Sequence, residues 1–173
     1  MTTDRIPPFH PDLNHGAGAR TVRLVLGARS ARQLATVAAK RCDPFLHRLI
    51  RGRLGPRLPL PFASLTTTGA RSGRSRTAGV LYFNDADDVI LIASNYGRDR
   101  HPSWYHNLKA HPTAVLACGG RSGSYTAVEV NDDAERTRLF ALGEHVYGGF
   151  ADYRQTTAAI GRRIPIMRLR PLD

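Results

Sequence analysis

The segment from Leu65 to Arg76, LTTTGARSGRSR, constrains the fold more than any other part of the sequence. A run of β-favouring residues ends at Gly69, and a second glycine, Gly73, follows four residues later in a stretch that also carries three arginines and two serines. A second apolar run begins at Val80. This pattern predicts a strand, a tight loop and a second strand. The loop is rich in backbone N–H groups and cations, which suit a phosphate or another small polyanion.

Two common phosphate-binding motifs do not fit this segment. No Gly-Lys-Ser/Thr sequence follows the glycines, so it is not a Walker loop. No helical pattern begins after the loop either, which also excludes a dinucleotide-binding fingerprint.

The remainder of the chain after residue 60 reads as short strands with helices inserted late. We predict strands at 62–68, 77–84, 89–94, 113–118, 124–130 and 164–169, turns at 85–88 and 119–123, and helices at 102–110, 131–146 and 151–160. Hairpin-linked strands with late helices indicate a small antiparallel barrel with helical cover. Few strand positions alternate with polar residues, so we expect most strands to be covered on both faces.

The first 58 residues have a different character. Residues 1–20 are rich in proline, glycine, histidine and charge, which predicts poor order. Apolar residues at helical spacing predict helices at 30–41 and 44–53, the second opened by Asp43-Pro44. We therefore expect a disordered segment and helical leader at 1–58, followed by one domain at 59–173.

The net charge of +11 is concentrated in the leader. Residues 1–60 carry eleven Lys/Arg against three acids, and residues 61–173 carry fourteen against eleven. Such a segment attracts anionic membrane surfaces or nucleic acid, although a solvated basic face is an equal alternative. We expect peripheral contact through residues 20–57 with the inner face of the plasma membrane. Nucleic-acid binding is not expected, because basic residues do not alternate with strand aromatics.

The sequence contains none of the usual signals for export, membrane spanning, metal binding or hydrolysis. No apolar run reaches the ~18 residues of a spanning helix, and no signal-peptide core is present. Cys42 and Cys118 show no CxxC spacing, which fits a reducing cytoplasm. The spacing of His101, His106 and His111 does not align them on a helix, and no zinc or GxSxG motif occurs, so we predict no metal site.

Two further segments could form a pocket. Ser94-Asn95-Tyr96-Gly97 follows an apolar strand and precedes the sole tryptophan, Trp104; it is read either as a plain turn or as a pocket wall. Tyr147, Phe150 and Tyr153 are spaced by three, with Gly148-Gly149 between the first two. That spacing is compatible with two arrangements: packing in the core, or a mobile lid that covers a pocket.

Taken in order, these motifs resemble the deazaflavin-dependent nitroreductase family of actinobacteria, whose members use the reduced deazaflavin coenzyme F-420. The similarity covers residues 60–173 and implies a split β-barrel related to flavin-binding barrels, that is, a mainly β fold with inserted helices. The series consists of Leu65-Thr66-Thr67-Thr68-Gly69 before Arg71-Ser72-Gly73 and Arg76, then Ala93-Ser94 and Gly97, then Pro102, Trp104, Tyr105, Asn107-Leu108 and His111-Pro112, and finally Tyr147, Phe150-Ala151-Asp152-Tyr153 and Arg163-Ile164-Pro165.

The resemblance also implies roles for individual residues. The residues expected to hold the coenzyme's phosphate and acidic tail are Thr68, Gly69, Ala70, Arg71, Ser72, Gly73 and Arg76, with loop amides offered by Ser72 and Gly73. Those expected to line or support its ring are Gly79, Leu81, Ile92, Ala93, Ser94, Asn95 and Trp104. The substrate pocket is expected at Tyr147, Phe150 and Tyr153, with Tyr147, Tyr153 or Ser94 as the hydrogen-bond or proton donor.

The implied function is hydride transfer from the reduced deazaflavin to a lipophilic acceptor such as a quinone or nitroaromatic. Ala70, Asn95, Phe150 and Thr156 depart from the family pattern, which weakens any transfer of nitro-compound preference. Two alternatives stay open: an FMN-dependent oxidoreductase on the same barrel, or a non-catalytic coenzyme or lipid carrier at the membrane. The chain is expected to be a monomer or a homodimer.

Overall fold

Seven antiparallel strands form a sheet that curls until its two edge strands are neighbours in sequence. The computed structural model describes residues 5–10 and 60–172. The spatial order of the strands is β2-β1-β5-β6-β7-β4-β3, so the edge strands β2 and β3 are separated in the chain by Tyr82 alone. The strands are β1 (Phe62–Thr68), β2 (Ser75–Leu81), β3 (Phe83–Asp85), β4 (Asp88–Ile92), β5 (Thr113–Cys118), β6 (Arg121–Glu129) and β7 (Ile166–Pro171).

Three helices accompany the sheet: α1 (Ser103–Ala110), α2 (Asp133–Val146) and α3 (Gly149–Ala158). Each agrees with its predicted position to within two residues. Asp132 caps α2, because its Oδ1 accepts a hydrogen bond of 2.7 Å from the N–H of Glu135. Among the described residues, no helix has the length and apolarity needed to cross a membrane.

Tyr82 interrupts what the sequence predicts as one strand over 77–84. Leu81 still pairs with Phe62 on β1, whereas Phe83 already pairs with Ile90 on β4. The side chain of Tyr82 is buried in the barrel, and its hydroxyl donates to the carbonyl oxygen of Pro7 at 2.8 Å. The chain changes pairing partner at this residue, so the continuous strand becomes two and the chain joins the two edges of the curled sheet, which no ladder pairs directly.

Several other strand limits differ from the prediction by one to three residues, most of all the start of β6. Gly119 and Gly120 adopt φ of 59° and 80°, so a two-residue turn suffices and β6 begins at Arg121 rather than at residue 124. The last strand begins at Ile166 rather than at residue 164. Pro165 has no N–H for the ladder, and its carbonyl accepts from the N–H of Ala93 instead.

Apolar side chains fall into two clusters, one inside the barrel and one beneath α2 and α3. The first includes Leu65, Leu91, Leu116, Tyr125 and Leu169. The second includes Phe83, Ile90, Ile92, Leu139 and Phe150. Strand β4 supplies residues to both clusters. The helices α2 and α3 are therefore attached to the sheet through the face of β4 that points away from the barrel interior.

The expectation that most strands are covered on both faces is wrong for the β1, β5 and β6 part of the sheet. Burial alternates along β1, where Leu65 and Thr67 are buried and their neighbours are half-buried. Val115 on β5 and Val128 on β6 are 41% and 48% exposed. This part of the sheet is therefore buried on one face only, as is common for antiparallel sheets.

Residues 5–10 are packed against the barrel, in contrast to the disorder expected for residues 1–20. Ile6 is 3% exposed within the first cluster. Phe9 and Asn84 exchange two hydrogen bonds: the N–H of Phe9 donates to Asn84 Oδ1, and the N–H of Asn84 donates to the carbonyl oxygen of Phe9, at 2.9 and 2.8 Å. The predicted leader helices lie outside the described residues, and the division into 1–58 and 59–173 stays a prediction.

A half-buried group of ion pairs connects β7, the β3–β4 hairpin and α2. Arg168 donates to Asp85, Asp88 and Glu135 at 2.7, 2.9 and 2.5 Å. Arg138 on α2 donates twice to Asp85, at 2.8 Å each. The hydrogen bonds from Arg138, followed by the one from Arg168, lower the pKa of the Asp85 carboxyl to about 2.

We predict that Asp85→Asn removes an acid-sensitive part of the stability. The pKa of Asp85 is lower in the folded than in the unfolded state, so its stabilisation is complete above its ordinary pKa and is lost as pH falls from about 4 to about 2. Urea unfolding should show an acid loss about 2 kcal/mol larger in the wild type than in the variant. Asp87→Asn is the matched control, because Asp87 lies in the same turn and is exposed; an equal acid loss in Asp85→Asn and the wild type would contradict the assignment.

Candidate functional site

The β1–β2 loop is folded tightly around its two glycines. The N–H of Gly69 donates to the carbonyl oxygen of Arg74, and the N–H of Gly73 donates to that of Gly69, both at 2.8 Å. A Cβ on Gly69 would lie 2.7 Å from Ser72 Oγ and 3.1 Å from the Arg74 carbonyl oxygen, so the closed loop has no room for a side chain there. Gly73 has a φ of 63°, which favours glycine.

This loop presents cations and unused amides to solvent. The side chains of Arg71, Arg74 and Arg76 are exposed, and no ion pair joins them to an acid in the part of the chain that the structure describes. The backbone N–H groups of Arg71 and Ser72 have no acceptor among the described residues. The amide of Gly73 is already bonded within the loop, so the expectation that it offers a donor is wrong. Such an arrangement can bind a polyanion.

Asn107 on α1 holds the loop through two side-chain hydrogen bonds. Its Oδ1 accepts from the N–H of Ala70 at 3.0 Å, and its Nδ2 donates to Thr67 Oγ1 at 3.0 Å. Asn107 is 7% exposed, and Trp104, one turn earlier on the same helix, packs against the barrel interior. The sequence placed Asn107 in a motif without giving it a role, because its partners lie 37 and 40 residues away.

The turn after β4 adopts a left-handed conformation over three successive residues. Asn95, Tyr96 and Gly97 have φ of 50°, 57° and 71°. For the two residues that carry a Cβ, this conformation costs free energy and persists where surrounding contacts impose it. A Cβ on Gly97 would lie 3.2 Å from Cδ1 of Tyr153, which shows how closely α3 packs against the turn.

Ser94 begins this turn, directly after two residues whose side chains face inward. Ile92 lies in the second cluster and Ala93 has no exposed surface. Of the predicted ring-lining positions, Ile92 and Ala93 therefore have side chains that lie behind the surface. Ser94 is 9% exposed, and its hydroxyl forms no hydrogen bond with the described residues, which leaves it able to bind a ligand.

Arg162 connects this turn to the end of α3. Its guanidinium donates to three carbonyl oxygens, those of Ala93, Ser94 and Arg98, at 2.8, 3.0 and 2.9 Å. Its Nε donates to Nδ1 of His101 at 3.2 Å. Burial, then the Arg162 charge, lowers the pKa of His101, which favours the neutral acceptor form. The motifs found in the sequence include the adjacent Arg163 and not Arg162, so the sequence analysis assigns no role to Arg162.

Tyr147, Phe150 and Tyr153 come together as an aromatic cluster at the junction of α2 and α3. The hydroxyls of Tyr147 and Tyr153 lie 3.4 Å apart, and the ring centroids of Tyr147 and Phe150 lie 5.5 Å apart. Phe150 is 4% exposed, so it supports the two half-buried tyrosines instead of facing a pocket. The ring of Tyr147 lies directly over Gly149, where any side chain would collide with it. The structure thus shows packing at this junction.

The predicted site residues form two groups on adjoining parts of the barrel. The loop and Trp104 belong to the first, and the Ser94 turn and the aromatic cluster belong to the second. On β2, which runs from the loop towards the second group, Gly79 is exposed and Leu81 packs against the second cluster. Thr68 is half-buried at the end of β1. The described residues contain no group of three or more His, Cys, Asp or Glu that could hold a metal ion.

Known proteins resemble the chain in sequence and in fold. A family model described as F420H(2)-dependent quinone reductase matches residues 39–171. An F420H(2)-dependent quinone reductase of Mycobacterium tuberculosis (strain H37Rv) is 34% identical over 128 residues, which cover 72% of this chain and 84% of that relative.

Solved structures agree with this sequence match. The structure of an F420-H2 dependent reductase (FDR-A) is 32% identical, with a TM-score of 0.57 over 64% of this chain and 94% of that chain. A chain described as a domain-swapped dimer is 29% identical, with a TM-score of 0.57 over 73% of this chain and 94% of that chain. The predicted split β-barrel is confirmed.

We predict that Asn107→Ala loosens the β1–β2 loop. The substitution removes the acceptor of the Ala70 N–H and the donor to Thr67, and unsatisfied buried polar groups cost about 1–3 kcal/mol. Hydrogen exchange should become faster at Ala70 while remaining unchanged in β6. Ser103→Ala, an exposed change on the same helix, is the control; equal loop exchange in both variants would show that Asn107 does not hold the loop.

Proposed function

The chain belongs to the F420H(2)-dependent quinone reductase family, and we propose that it transfers hydride from the reduced deazaflavin coenzyme to a quinone or another lipophilic acceptor. Membership confirms the predicted family, the oxidoreductase class and the deazaflavin cofactor. The observation that carries the proposal for this chain is the exposed arginine loop, locked to α1 by Asn107, beside the unoccupied amides of Arg71 and Ser72.

The loop fits the anionic end of the coenzyme. A phosphate and an acidic tail need several donors and cations in one place, and the loop offers Arg71, Arg76 and the Ser72 amide in a rigid frame. Arginine suits this task because its planar guanidinium binds phosphate and carboxylate in pairs of hydrogen bonds. We assign Thr68, Gly69, Ala70 and Gly73 to the shape of the loop.

The adjoining wall fits the planar ring. Gly79, Ser94 and Asn95 present little bulk, Leu81 and Trp104 provide apolar support, and Ile92 with Ala93 lies behind them. When bound, the reduced coenzyme supplies a hydride, and the protein provides binding, orientation and exclusion of water. That division of labour agrees with the sequence, which contains no GxSxG motif and no zinc motif.

Tyr147 and Tyr153 are the proposed hydrogen-bond or proton donors to the acceptor. Their hydroxyls lie within 3.4 Å of each other at the half-buried surface of the aromatic cluster. Ser94 is a further donor, since its hydroxyl is unengaged among the described residues. The rings of Tyr147 and Tyr153 would also contact a flat lipophilic acceptor, with Phe150 supporting them from behind.

The proposal also extends to the localisation and the oligomeric state of the protein. We propose a cytoplasmic protein whose basic segment 20–57 contacts the membrane, where lipophilic quinones reside; the support is the charge of that segment, which lies outside the described residues. The chain is a monomer or a homodimer, and the similarity to a domain-swapped dimer supports testing the second state.

Replacing Arg71 and Arg76 together by alanine should weaken coenzyme binding by about 100-fold or more, because each charge-assisted contact contributes about 1.5–3 kcal/mol. Titration followed by coenzyme fluorescence measures the change. The control is Arg121→Ala with Arg170→Ala, which removes the same charge from exposed positions elsewhere on the barrel. The loop assignment fails if the two double variants bind the coenzyme equally.

Tyr147→Phe combined with Tyr153→Phe should lower kcat by about 100-fold while the coenzyme dissociation constant stays within about threefold, since the hydroxyls act on the acceptor. Steady-state oxidation of the reduced coenzyme by a soluble quinone provides the measurement. Tyr125→Phe is the control, because that hydroxyl lies inside the barrel. A double variant with wild-type kcat would exclude the tyrosines as donors.

A further inference from the structure

Arg162 is a half-buried cation that forms no hydrogen bond with any of the three proposed donor hydroxyls, yet it holds the turn that carries one of them. We propose that Arg162 is a positioning residue: its guanidinium keeps the left-handed turn at 94–97 in the conformation that presents Ser94, and so governs turnover more than coenzyme capture. The kinetic part of this inference rests on the proposed function. The structural part does not.

The contacts of Arg162 span the whole turn. Its Nη2 donates to the carbonyl oxygen of Ala93 before the turn, and its Nη1 donates to the carbonyl oxygens of Ser94 and Arg98, which precede and follow the left-handed residues. A fourth donor, Nε, reaches Nδ1 of His101. One planar group thus fixes both ends of the turn, which a lysine ammonium cannot do with the same geometry.

The turn needs such an external contact. Two bonds of its own, from the N–H of Gly97 to the Ser94 carbonyl and from the N–H of Arg98 to the Asn95 carbonyl, are 3.1 Å long. They must offset the cost of placing Asn95 and Tyr96 in the left-handed region. Without Arg162, the buried carbonyl of Ala93 would lose this donor and the carbonyl of Ser94 would keep only the N–H of Gly97, so the turn would relax.

The anchor of Arg162 is itself tied to the aromatic cluster. The N–H of Arg162 donates to the carbonyl oxygen of Thr157 at 2.8 Å, and the hydroxyl of Thr157, a residue 1% exposed, donates to the carbonyl oxygen of Tyr153. Gly97 packs against Tyr153 from the other side. Arg162 therefore fixes the distance between Ser94 and Tyr153, two of the proposed donors.

The adjacent residue provides a matched control. Arg163 is exposed and pairs with Asp133 at the start of α2, away from the turn. Arg162→Gln and Arg163→Gln remove the same charge at neighbouring positions. Arg162→Lys keeps the charge and removes the planar geometry.

The first measurement uses the protein without coenzyme. Hydrogen exchange of the amides of Gly97 and Arg98 should become about 10-fold faster in Arg162→Gln, intermediate in Arg162→Lys, and unchanged in Arg163→Gln. Exchange in β1 should not change in any variant. Unchanged exchange at Gly97 and Arg98 in Arg162→Gln, or an equal rise in β1, would overturn the inference.

The second measurement uses the reduced coenzyme and a soluble quinone such as menadione. Arg162→Gln should lower kcat by about 10- to 100-fold, as expected from small displacements of a donor, while coenzyme affinity stays within about threefold. A loss of coenzyme affinity as large as the loss of kcat would contradict a positioning role. If the wild type oxidises no coenzyme, the proposed function fails, and hydrogen exchange alone decides whether Arg162 holds the turn.

Discussion

Closure of the sheet at Tyr82 is the constraint on which the rest of the molecule depends. The chain leaves β2 at one edge and enters β3 at the other after a single residue, and the buried Tyr82 hydroxyl bonds to Pro7 across the closing barrel. As a result β2 also contacts β4. The arginine loop lies at the start of β2 and the Ser94 turn at the end of β4, so the closure assembles the proposed binding wall from two hairpins that are distant from each other in the sheet order.

Two polar side chains, the buried Asn107 and the half-buried Arg162, then give that wall its shape. Asn107 holds the loop through Ala70 and Thr67, and Arg162 holds the turn through Ala93, Ser94 and Arg98. Each loop has hydrogen bonds of its own, but one is rich in glycine and the other carries left-handed residues with side chains. Further contacts come from α1 and from the segment that follows α3. Removing either side chain is costly because its buried partners are left without a hydrogen bond.

The arrangement suits an enzyme whose reactive group is a bound coenzyme. Such an enzyme needs cations that bind the anionic end of the coenzyme, an apolar surface for its ring and a few hydroxyls near the acceptor. The fold provides each from a different element. The helices α2 and α3 bury Phe150 and leave Tyr147 and Tyr153 at the surface of the cluster. The acceptor side of the proposed site is therefore formed by the helical cover, and the coenzyme side by the sheet.

Local chemistry let the sequence alone determine most of the elements. Several features depend on residues close to one another in the chain: the limits of β1 and β5, the turn at 85–88, the cap of α2 and the glycine-bounded loop. The ordered motifs likewise identified the family and its cofactor. Tertiary structure decided what depends on distant partners: the break at Tyr82, the packing of residues 5–10, the burial of Phe150, and the tasks of Asn107 and Arg162. The residues next to Arg162 in the chain do not reveal its task, because its partners are carbonyl groups more than sixty residues away.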